Sequence, residues 1–245
     1  MKSYLEALEA RHLARLTLPE LRRALQALSQ IYVQKREKLR AGAVFDGAGK
    51  RAAFALFYGP LHYLLTLNVV GELEGDQKRG GRVLDLGCGT GTVGAAWARA
   101  SGAAAIQGVD LNRWAVEEAR WTYRQFGLSG RARVGDVMKA RLDAEAVVLG
   151  YVVNELDEQA RAALLPRLLE SGARVLVIEP IARRVSPWWD SWSKPFVAAG
   201  GRADEWRFPI ERPEIVRRLD QAARLDHREL KARTLYLSAS SRQHA

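Results

Sequence analysis

The feature that most constrains the fold is an apolar segment that runs directly into alternating glycines. Arg82-Val83-Leu84-Asp85-Leu86 precedes Gly87-Cys88-Gly89-Thr90-Gly91, and an alanine-rich segment follows. This order predicts a strand, a tight loop and a helix. Glycine allows positive φ and lets backbone N–H groups approach a ligand, and the start of a helix adds further free N–H groups. The segment therefore predicts a ligand site built from main chain.

The acidic residue before the loop decides between two ligands. A glycine-rich first turn also binds the pyrophosphate of dinucleotides. Asp85 would put a negative charge beside that phosphate, whereas it could pair with the ammonium group of S-adenosylmethionine. The spacing is Asp-x-Gly-x-Gly-x-Gly, and here the sequence resembles the class I S-adenosylmethionine-dependent methyltransferases. The resemblance implies that this cofactor is bound by Asp85, Gly87, Cys88, Gly89 and Gly91; the alternative is an ordinary turn with solvated acids.

Three later segments carry the resemblance further. Asp110 ends a second apolar run, and an acid at this place takes the ribose hydroxyls in both dinucleotide and S-adenosylmethionine sites. The resemblance implies that Leu111 beside it also contacts the cofactor, that Asp136 contacts the adenine amino group, and that Val137 is a further cofactor contact. A fourth apolar run ends at Tyr151, which the resemblance adds to the cofactor contacts and where this fold places its substrate-facing loop.

Strands alternate with helices along the middle of the chain. Helices are predicted near residues 92–101, 113–126 and 158–170, strands at 146–150 and 174–179, and a last pair of strands at 206–208 and 234–238 flanking a helix at 213–223. Such alternation predicts a parallel sheet with ligands outside the carboxyl ends of its strands. The resemblance implies an α/β, Rossmann-like, seven-stranded fold, mostly parallel with the last strand antiparallel, and an N-terminal helical extension.

The N-terminal part is predicted to be helical. Ser3 and Glu6 fit a capping box for a first helix, and Pro19 lies in the first turn of a second helix that reaches residue 40. Gly59-Pro60 should break or restart a later apolar helix. With Glu74 to Gly81 as a polar linker, the predicted domains are a helical extension or cap at 1–75 and a cofactor-binding core at 76–245.

Two aromatic segments are candidates for the substrate pocket. The helix before the first strand often covers the cofactor in methyltransferases, so Tyr58 and His62 are candidates for the pocket wall, with core packing as the alternative. The tryptophan-rich segment 186–192, which includes Trp188, is read either as a lid facing the substrate or as a hydrophobic plug.

Charge and composition bear on the partners. The net charge is +10, and because residues 81–180 hold 12 basic and 12 acidic side chains, the whole excess lies in the flanks. A basic surface favours RNA or a ribonucleoprotein, whereas a compositional bias toward arginine is the alternative. The first place to look for an RNA-binding face is a basic set in the second helix: Arg22, Arg23, Lys35, Arg36, Lys38 and Arg40.

The sequence gives no sign of membrane insertion, export or a metal site. No uninterrupted apolar run reaches about 18 residues, and the first residues lack a signal-peptide pattern, so we expect a cytoplasmic protein. Cys88 is the single cysteine, and the four histidines show no ligand spacing.

A narrower resemblance rests on three short segments. Tyr58-Gly59-Pro60-Leu61, Asn154-Glu155-Leu156 and Ile178-Glu179-Pro180 are similar to the methyltransferase-like family associated with the small ribosomal subunit. The resemblance implies ribosomal RNA or the small subunit as partner and places Glu179 in the substrate pocket. Eukaryotic members carry a cysteine cluster after the fifth strand that this chain lacks, so no iron–sulfur role is carried over.

Methyl transfer requires an acceptor held in line and, where it bears a proton, a base. Glu155 could be that base and Asn154 could orient the acceptor, or either could cap the next helix. Cys88 lies in the cofactor loop, which disfavours pyrimidine carbon-5 methylation. Methylation of a small molecule or a protein side chain, and a non-catalytic ribosome-assembly factor, remain as alternatives.

Overall fold

The computed structural model describes residues 1–14, 16–34, 45–225 and 227–239. The chain divides into a helical unit, Met1–Leu64 with Pro209–Leu230, and a sheet unit, Leu65–Phe208 with Lys231–Ala245. The domain boundary between residues 75 and 76 stays a prediction.

The sheet unit is built on parallel strands. Within the described residues one seven-stranded sheet has the order β3-β2-β1-β4-β5-β7-β6. The strands are β1 Arg82–Leu86, β2 Ala105–Asp110, β3 Gly130–Val134, β4 Ala146–Gly150, β5 Arg174–Glu179, β6 Arg202–Pro209 and β7 Glu229–Leu237. Strands β1 to β5 pair in parallel, and β7 runs antiparallel to β5. The predicted fold class is confirmed.

In the described residues, helices precede β1 and lie in every connection between strands except the one from β3 to β4. They are α1 Lys2–Leu13, α2 Leu18–Gln34, α3 Ala48–Ala53, α4 Gly59–Glu74, α5 Thr92–Ser101, α6 Arg113–Gln125, α7 Glu158–Leu169, α8 Trp189–Ala198 and α9 Glu214–Ala223. Side-chain caps fix two starts, because Asn112 Oδ1 accepts from Ala115 N and Asp157 Oδ1 accepts from Ala160 N. Asp157 is therefore the cap before α7, and the idea that Asn154 or Glu155 caps this helix was wrong.

The helical unit differs from the sequence prediction at its first cap. Helix α1 begins at Lys2, and Ser3 lies inside it, so the predicted cap by Ser3 was wrong. One half of a capping box occurs at α2 instead, where Glu20 Oε2 accepts from Thr17 N at 2.8 Å and from the Thr17 hydroxyl at 2.7 Å. Leu21, Leu25 and Leu28 of α2 are fully buried, which confirms its apolar stripe. Lys35, Arg36, Lys38 and Arg40 lie outside the described residues.

Gly59-Pro60 does not interrupt the helical path. A π-helical turn, Phe54–Tyr58, joins α3 to α4, and Gly59 N donates to Phe54 O five residues back. Proline lacks an N–H and cannot complete an ordinary α-helical turn. The wider turn before Pro60 lets the chain stay helical from Ala48 to Glu74, so a full break was wrong, whereas the predicted restart is found where α4 begins at Gly59.

This continuous helix is long and apolar enough, by length and composition, to cross a membrane. Of its most apolar 18-residue window, 72% is buried against the rest of the protein. That burial is typical of a core helix.

A buried ion pair ties the start of the sheet unit to its strands. Glu74 is only 4% exposed and ends α4, so it is not part of a polar linker as predicted. Arg174 Nη1, at the start of β5, donates to both Glu74 carboxylate oxygens at 2.8 Å. Trp97 Nε1 donates to Oε2 at 3.1 Å and the Tyr236 hydroxyl to Oε1 at 2.8 Å. One carboxylate thus joins α4, α5, β5 and β7.

We expect Glu74→Ala to lower the free energy of unfolding by about 3–5 kcal/mol, because it leaves the Arg174 guanidinium buried without a counter-charge. Glu72→Ala, two residues earlier and exposed, is the matched control and should change it by less than about 0.5 kcal/mol. Urea denaturation followed by circular dichroism measures both, and equal effects would contradict the anchoring role.

Candidate functional site

The glycine loop after β1 has the conformation that its sequence predicts. Gly87, Gly89 and Gly91 have φ of 66°, 50° and 77°, and Gly87 N and Cys88 N both donate to Val109 O. A Cβ on Gly87 would lie 2.4 Å from Val152 Cγ2, and one on Gly91 would lie 2.9 Å from the Cα of Ala119. These two glycines are required by packing.

Gly89, in contrast, is not packed against other residues. A Cβ added there would meet no heavy atom within 4 Å. The middle of the loop therefore presents backbone to open space, which is where a ligand would approach it.

Asp85 lies beneath the loop. It is 1% exposed, and its Oδ2 accepts from Gly94 N at 3.2 Å and from the Tyr123 hydroxyl at 3.3 Å. Burial raises the pKa of Asp85 to about 7, despite these hydrogen bonds. Its carboxylate supports the first turn of α5 from below, and direct pairing with a ligand ammonium stays a prediction.

Asp110 joins two of the strand-end loops. Its Oδ2 accepts from Gly89 N at 2.9 Å and its Oδ1 from Asn112 N at 2.8 Å. Burial raises its pKa. Each carboxylate oxygen accepts one hydrogen bond from a backbone N–H. Each can therefore still accept a second hydrogen bond, from a hydroxyl group of a ligand.

The residues that follow β2 and β3 adjoin Asp110. Leu111 is 73% exposed, an unusual position for a large apolar side chain that follows a buried strand. Gly135 N donates to Asp110 O at 2.9 Å and so brings the end of β3 to β2. Asp136 Oδ1 accepts from Met138 N at 2.8 Å, which caps a short 3₁₀ turn, and Val137 is buried.

A hydrogen-bonded group links the loop after β4 to the end of β5. Asn154 N donates to Glu179 Oε1 at 3.2 Å and Asn154 Nδ2 donates to Oε2 at 2.5 Å. Trp188 Nε1 donates to Asn154 Oδ1 at 2.8 Å, so the partners at both ends of the amide fix its orientation. Glu179 is fully buried. The structure thus brings together Asn154, Glu179 and Trp188, which the sequence placed in the site separately.

Glu155 is the accessible carboxylate of this loop. Its N–H donates to Val152 O at 2.9 Å, and its side chain is exposed. Partial desolvation, with the negative charge of Asp110, raises its pKa above the ordinary value. Tyr151 has φ 65°, a strained region for a non-glycine residue, and its N–H donates to Ile178 O at 2.8 Å.

The tryptophan-rich segment is packed inside the sheet unit. Trp188 is 7% exposed and Trp192 2%, and both belong to the core cluster with Phe196. The lid interpretation was wrong and the plug interpretation is confirmed. Trp188 remains part of the site as the hydrogen-bond donor to Asn154.

Tyr58 and His62 belong to the helical unit. Their ring centroids are 6.0 Å apart, and each lies about as close to Phe54. Burial raises the pKa of Tyr58 to about 12 and lowers that of His62 to about 3. Their role in a pocket wall stays a prediction.

Cys88 and the acids do not form a metal site. Burial and the charges of Asp85 and Asp110 raise the pKa of the Cys88 thiol far above its ordinary value, so it is a poor nucleophile at neutral pH. In the ranges that the structure describes, no three His, Cys, Asp or Glu side chains are grouped closely enough to hold a metal ion.

Comparison with known proteins identifies this architecture. Residues 69–177 match the methyltransferase small domain family. A ribosomal RNA small subunit methyltransferase C of Vibrio parahaemolyticus is 42% identical over 57 residues, which is 23% of this chain and 17% of that protein. The chain therefore aligns with less than a fifth of that relative's length.

Two solved structures share the fold. A candidate RNA methyltransferase of Pyrococcus horikoshii superposes with a TM-score of 0.50 at 17% identity, over 74% of this chain and 83% of that one. A mitomycin 7-O-methyltransferase gives a TM-score of 0.51 at 15% identity, over 87% and 60%. At these identities the likeness concerns the fold alone.

Residues 69–177 therefore carry a methyltransferase domain, and the sheet has the fold of the class I methyltransferases. These enzymes transfer a methyl group from S-adenosylmethionine, and the predicted family, enzyme class and cofactor are confirmed at this level. The methyltransferase core fits the cofactor, because Gly89 faces open space beside the two acceptor oxygens of Asp110. The cofactor contacts of individual residues stay proposals.

Sequence reasoning missed two residues of this methyltransferase site. Asn112 carried a signal, since an Asn directly before a predicted helix is a typical N-cap. Tyr123, which donates to Asp85 from 38 positions further along the chain, had none, because only the packing of α6 on β2 and β3 brings it there.

The buried Asp85 predicts a pH-dependent stability of the cofactor-free methyltransferase. Its pKa rises from an ordinary 3.8 to about 7 on folding, so between these values the folded state keeps a proton that the unfolded state releases. The free energy of unfolding should fall as pH rises through this window, by up to about 1.4 kcal/mol per unit. Asp85→Asn should remove this contribution, whereas exposed Asp76→Asn should not; urea titrations at pH 5, 6 and 7 measure the difference.

We expect Asp110→Ala to weaken S-adenosylmethionine binding at least about tenfold, because it removes the acceptors for ribose hydroxyls and for Gly89 N. Asp76→Ala, an exposed acid of the same unit, should bind as wild type does. Isothermal titration calorimetry measures both, and an unchanged affinity in a folded Asp110→Ala protein would contradict the assignment.

Proposed function

We propose that this protein is an S-adenosylmethionine-dependent methyltransferase that acts on ribosomal RNA or a ribosomal component. The observation that carries the choice of substrate is the stretch of 57 residues that is 42% identical to a ribosomal RNA small subunit methyltransferase. The net charge of +10 agrees with a polyanionic substrate. We expect it to act in the cytoplasm.

The loop after β4 supplies the groups that would handle the acceptor. When bound, S-adenosylmethionine supplies an electrophilic methyl group and a thioether leaving group. Asn154 would orient the acceptor, because Glu179 and Trp188 hold its amide in one position. Glu155 would accept a proton from the acceptor, since it is exposed and its raised pKa brings it toward the operating pH.

The buried Glu179 has a different role from Glu155. Both of its oxygens accept from Asn154, and it is fully buried. Glu179 would therefore hold Asn154 in position. It would do so from behind the substrate pocket in which the sequence placed it.

The experiment is methyl transfer from radiolabelled S-adenosylmethionine into a cell extract and into isolated small ribosomal subunits. Label that is removed by ribonuclease supports RNA as the substrate, and label removed by protease supports a ribosomal protein when it is found in the subunits. Label in the low-mass fraction would favour the small-molecule alternative, and no label with measured cofactor binding would favour a non-catalytic assembly factor.

We expect Glu155→Gln to lower kcat about 10²- to 10⁴-fold for an acceptor that loses a proton, with cofactor affinity unchanged. Glu158→Gln, an exposed acid in the first turn of α7, should keep wild-type activity. Initial rates at saturating cofactor measure kcat, and a wild-type rate for Glu155→Gln would exclude it as the base.

A further inference from the structure

A cleft of about 490 Å³ lies beside β3, the outer strand of the sheet at the end away from β6. Four arginines line it: Arg120 and Arg124 from α6, and Arg131 and Arg133 from β3. Gln107 of β2, Gly130 and Ala132 complete the wall, and no acidic residue contributes to it. We call these four side chains and the space between them the arginine cleft.

The periodicity of each element brings the four arginines together. Arg120 and Arg124 are four residues apart and therefore share a face of α6. Arg131 and Arg133 are two residues apart and therefore share a face of β3, about 6.5–7 Å from each other along the strand. Arg120 Nε donates to Ala132 O at 2.8 Å, which draws the helix side chain onto the open edge of β3.

The adjoining face of the sheet is left open. The connection from β3 to β4 contains only the 3₁₀ turn Val137–Lys139, where an α-helix would otherwise cover the sheet. Gln107 and Arg131, which are paired in the β2–β3 register, are both exposed there. A second cleft of about 230 Å³ shares these two residues and runs on toward β1, so the arginine cleft opens into a longer groove.

The positive charge of the arginine cleft is not neutralised within the described part of the chain. None of the four arginines forms an ion pair there, whereas Arg174, Arg212 and Arg217 each pair with a carboxylate. The acid nearest in sequence, Glu118, is only 1% exposed and so does not face the cleft, and the exposed Glu117 before it makes no ion pair with the four arginines. Four guanidinium groups around one cleft repel each other, and an anion bound between them would relieve that repulsion.

We propose that the arginine cleft binds the phosphodiester backbone of the RNA substrate. The identity of the polyanion as RNA rests on the proposed function. Guanidinium groups bind phosphate bidentately, and an open, elongated groove fits a chain of phosphates better than one small anion. The surface is separate from the cofactor loop, yet β3 leads from Arg133 to Asp136 within three residues. RNA held along β3 would thus run toward the carboxyl ends of the strands, where the methyl group is transferred.

The test compares two triple variants with the same loss of charge. Arg124→Gln/Arg131→Gln/Arg133→Gln removes three cleft arginines and keeps Arg120, which bonds the strand edge. Arg22→Gln/Arg23→Gln/Arg218→Gln removes three exposed arginines of the helical unit, including two from the basic face of α2 that the sequence favoured. Calorimetry with S-adenosylmethionine should give wild-type affinity for both, which shows that the cofactor site is intact.

Binding is measured by fluorescence anisotropy with a labelled single-stranded oligoribonucleotide of about 20 nucleotides, between about 50 and 200 mM salt. For the cleft variant we expect Kd to rise at least about tenfold at the lower salt and the slope of log Kd against log salt to fall by about 2. The helical-unit variant should change Kd less than about threefold. Equal losses in both variants, or a loss in the helical-unit variant only, would overturn the cleft as the binding surface.

Methyl transfer separates this inference from the proposed function. If wild-type protein binds RNA through the cleft but labels none, the proposed function fails and the binding surface stands. If wild-type protein labels RNA and the cleft variant does so with unchanged KM and Kd, the proposed function stands and the cleft inference fails.

Discussion

The buried carboxylate of Glu74 is the interaction on which the sheet unit most depends. It binds Arg174, Trp97 and Tyr236, which lie on β5, α5 and β7. Arg174 begins β5, so the cluster lies at the amino ends of the parallel strands. The opposite ends carry the glycine loop and the candidate acids. The Glu74 cluster thus joins the sheet unit at the amino ends of its strands, and the loops that carry the candidate site lie at the carboxyl ends.

Burial separates the acids of the site into two groups. Asp85 and Glu179 are almost fully enclosed and hold backbone or side-chain donors of the protein itself. Asp110 is partly enclosed and Glu155 is exposed, so these two can reach a ligand. A carboxylate buried behind an amide holds that amide in place, and an exposed one can exchange protons. The same residue type thus supports positioning in one place and chemistry in another.

Patterns local in sequence predicted the fold well. The strands at 146–150 and 174–179 have the predicted bounds, because each is a short apolar run closed by glycine or by a charged residue before proline. Glu74 could not be recognised, since a polar residue after an apolar helix resembles a linker until its partner 100 positions away is known. Trp188 likewise gained its contact with Asn154 only through the packing of α8.

The arginine cleft shows why a charge count over a segment misleads. Residues 81–180 balance 12 basic against 12 acidic side chains, which suggested that the core is electrostatically neutral. Some of the acids lie inside the protein or at the strand ends, as Asp85 and Asp110 do, whereas Arg124 and Arg131 line one outer edge of the sheet. Folding therefore separates charges that alternate along the chain. A segment with no net charge can present a strongly positive surface wherever strand and helix periodicities place its arginines on the same side. Such a surface attracts polyanions as a basic tail would.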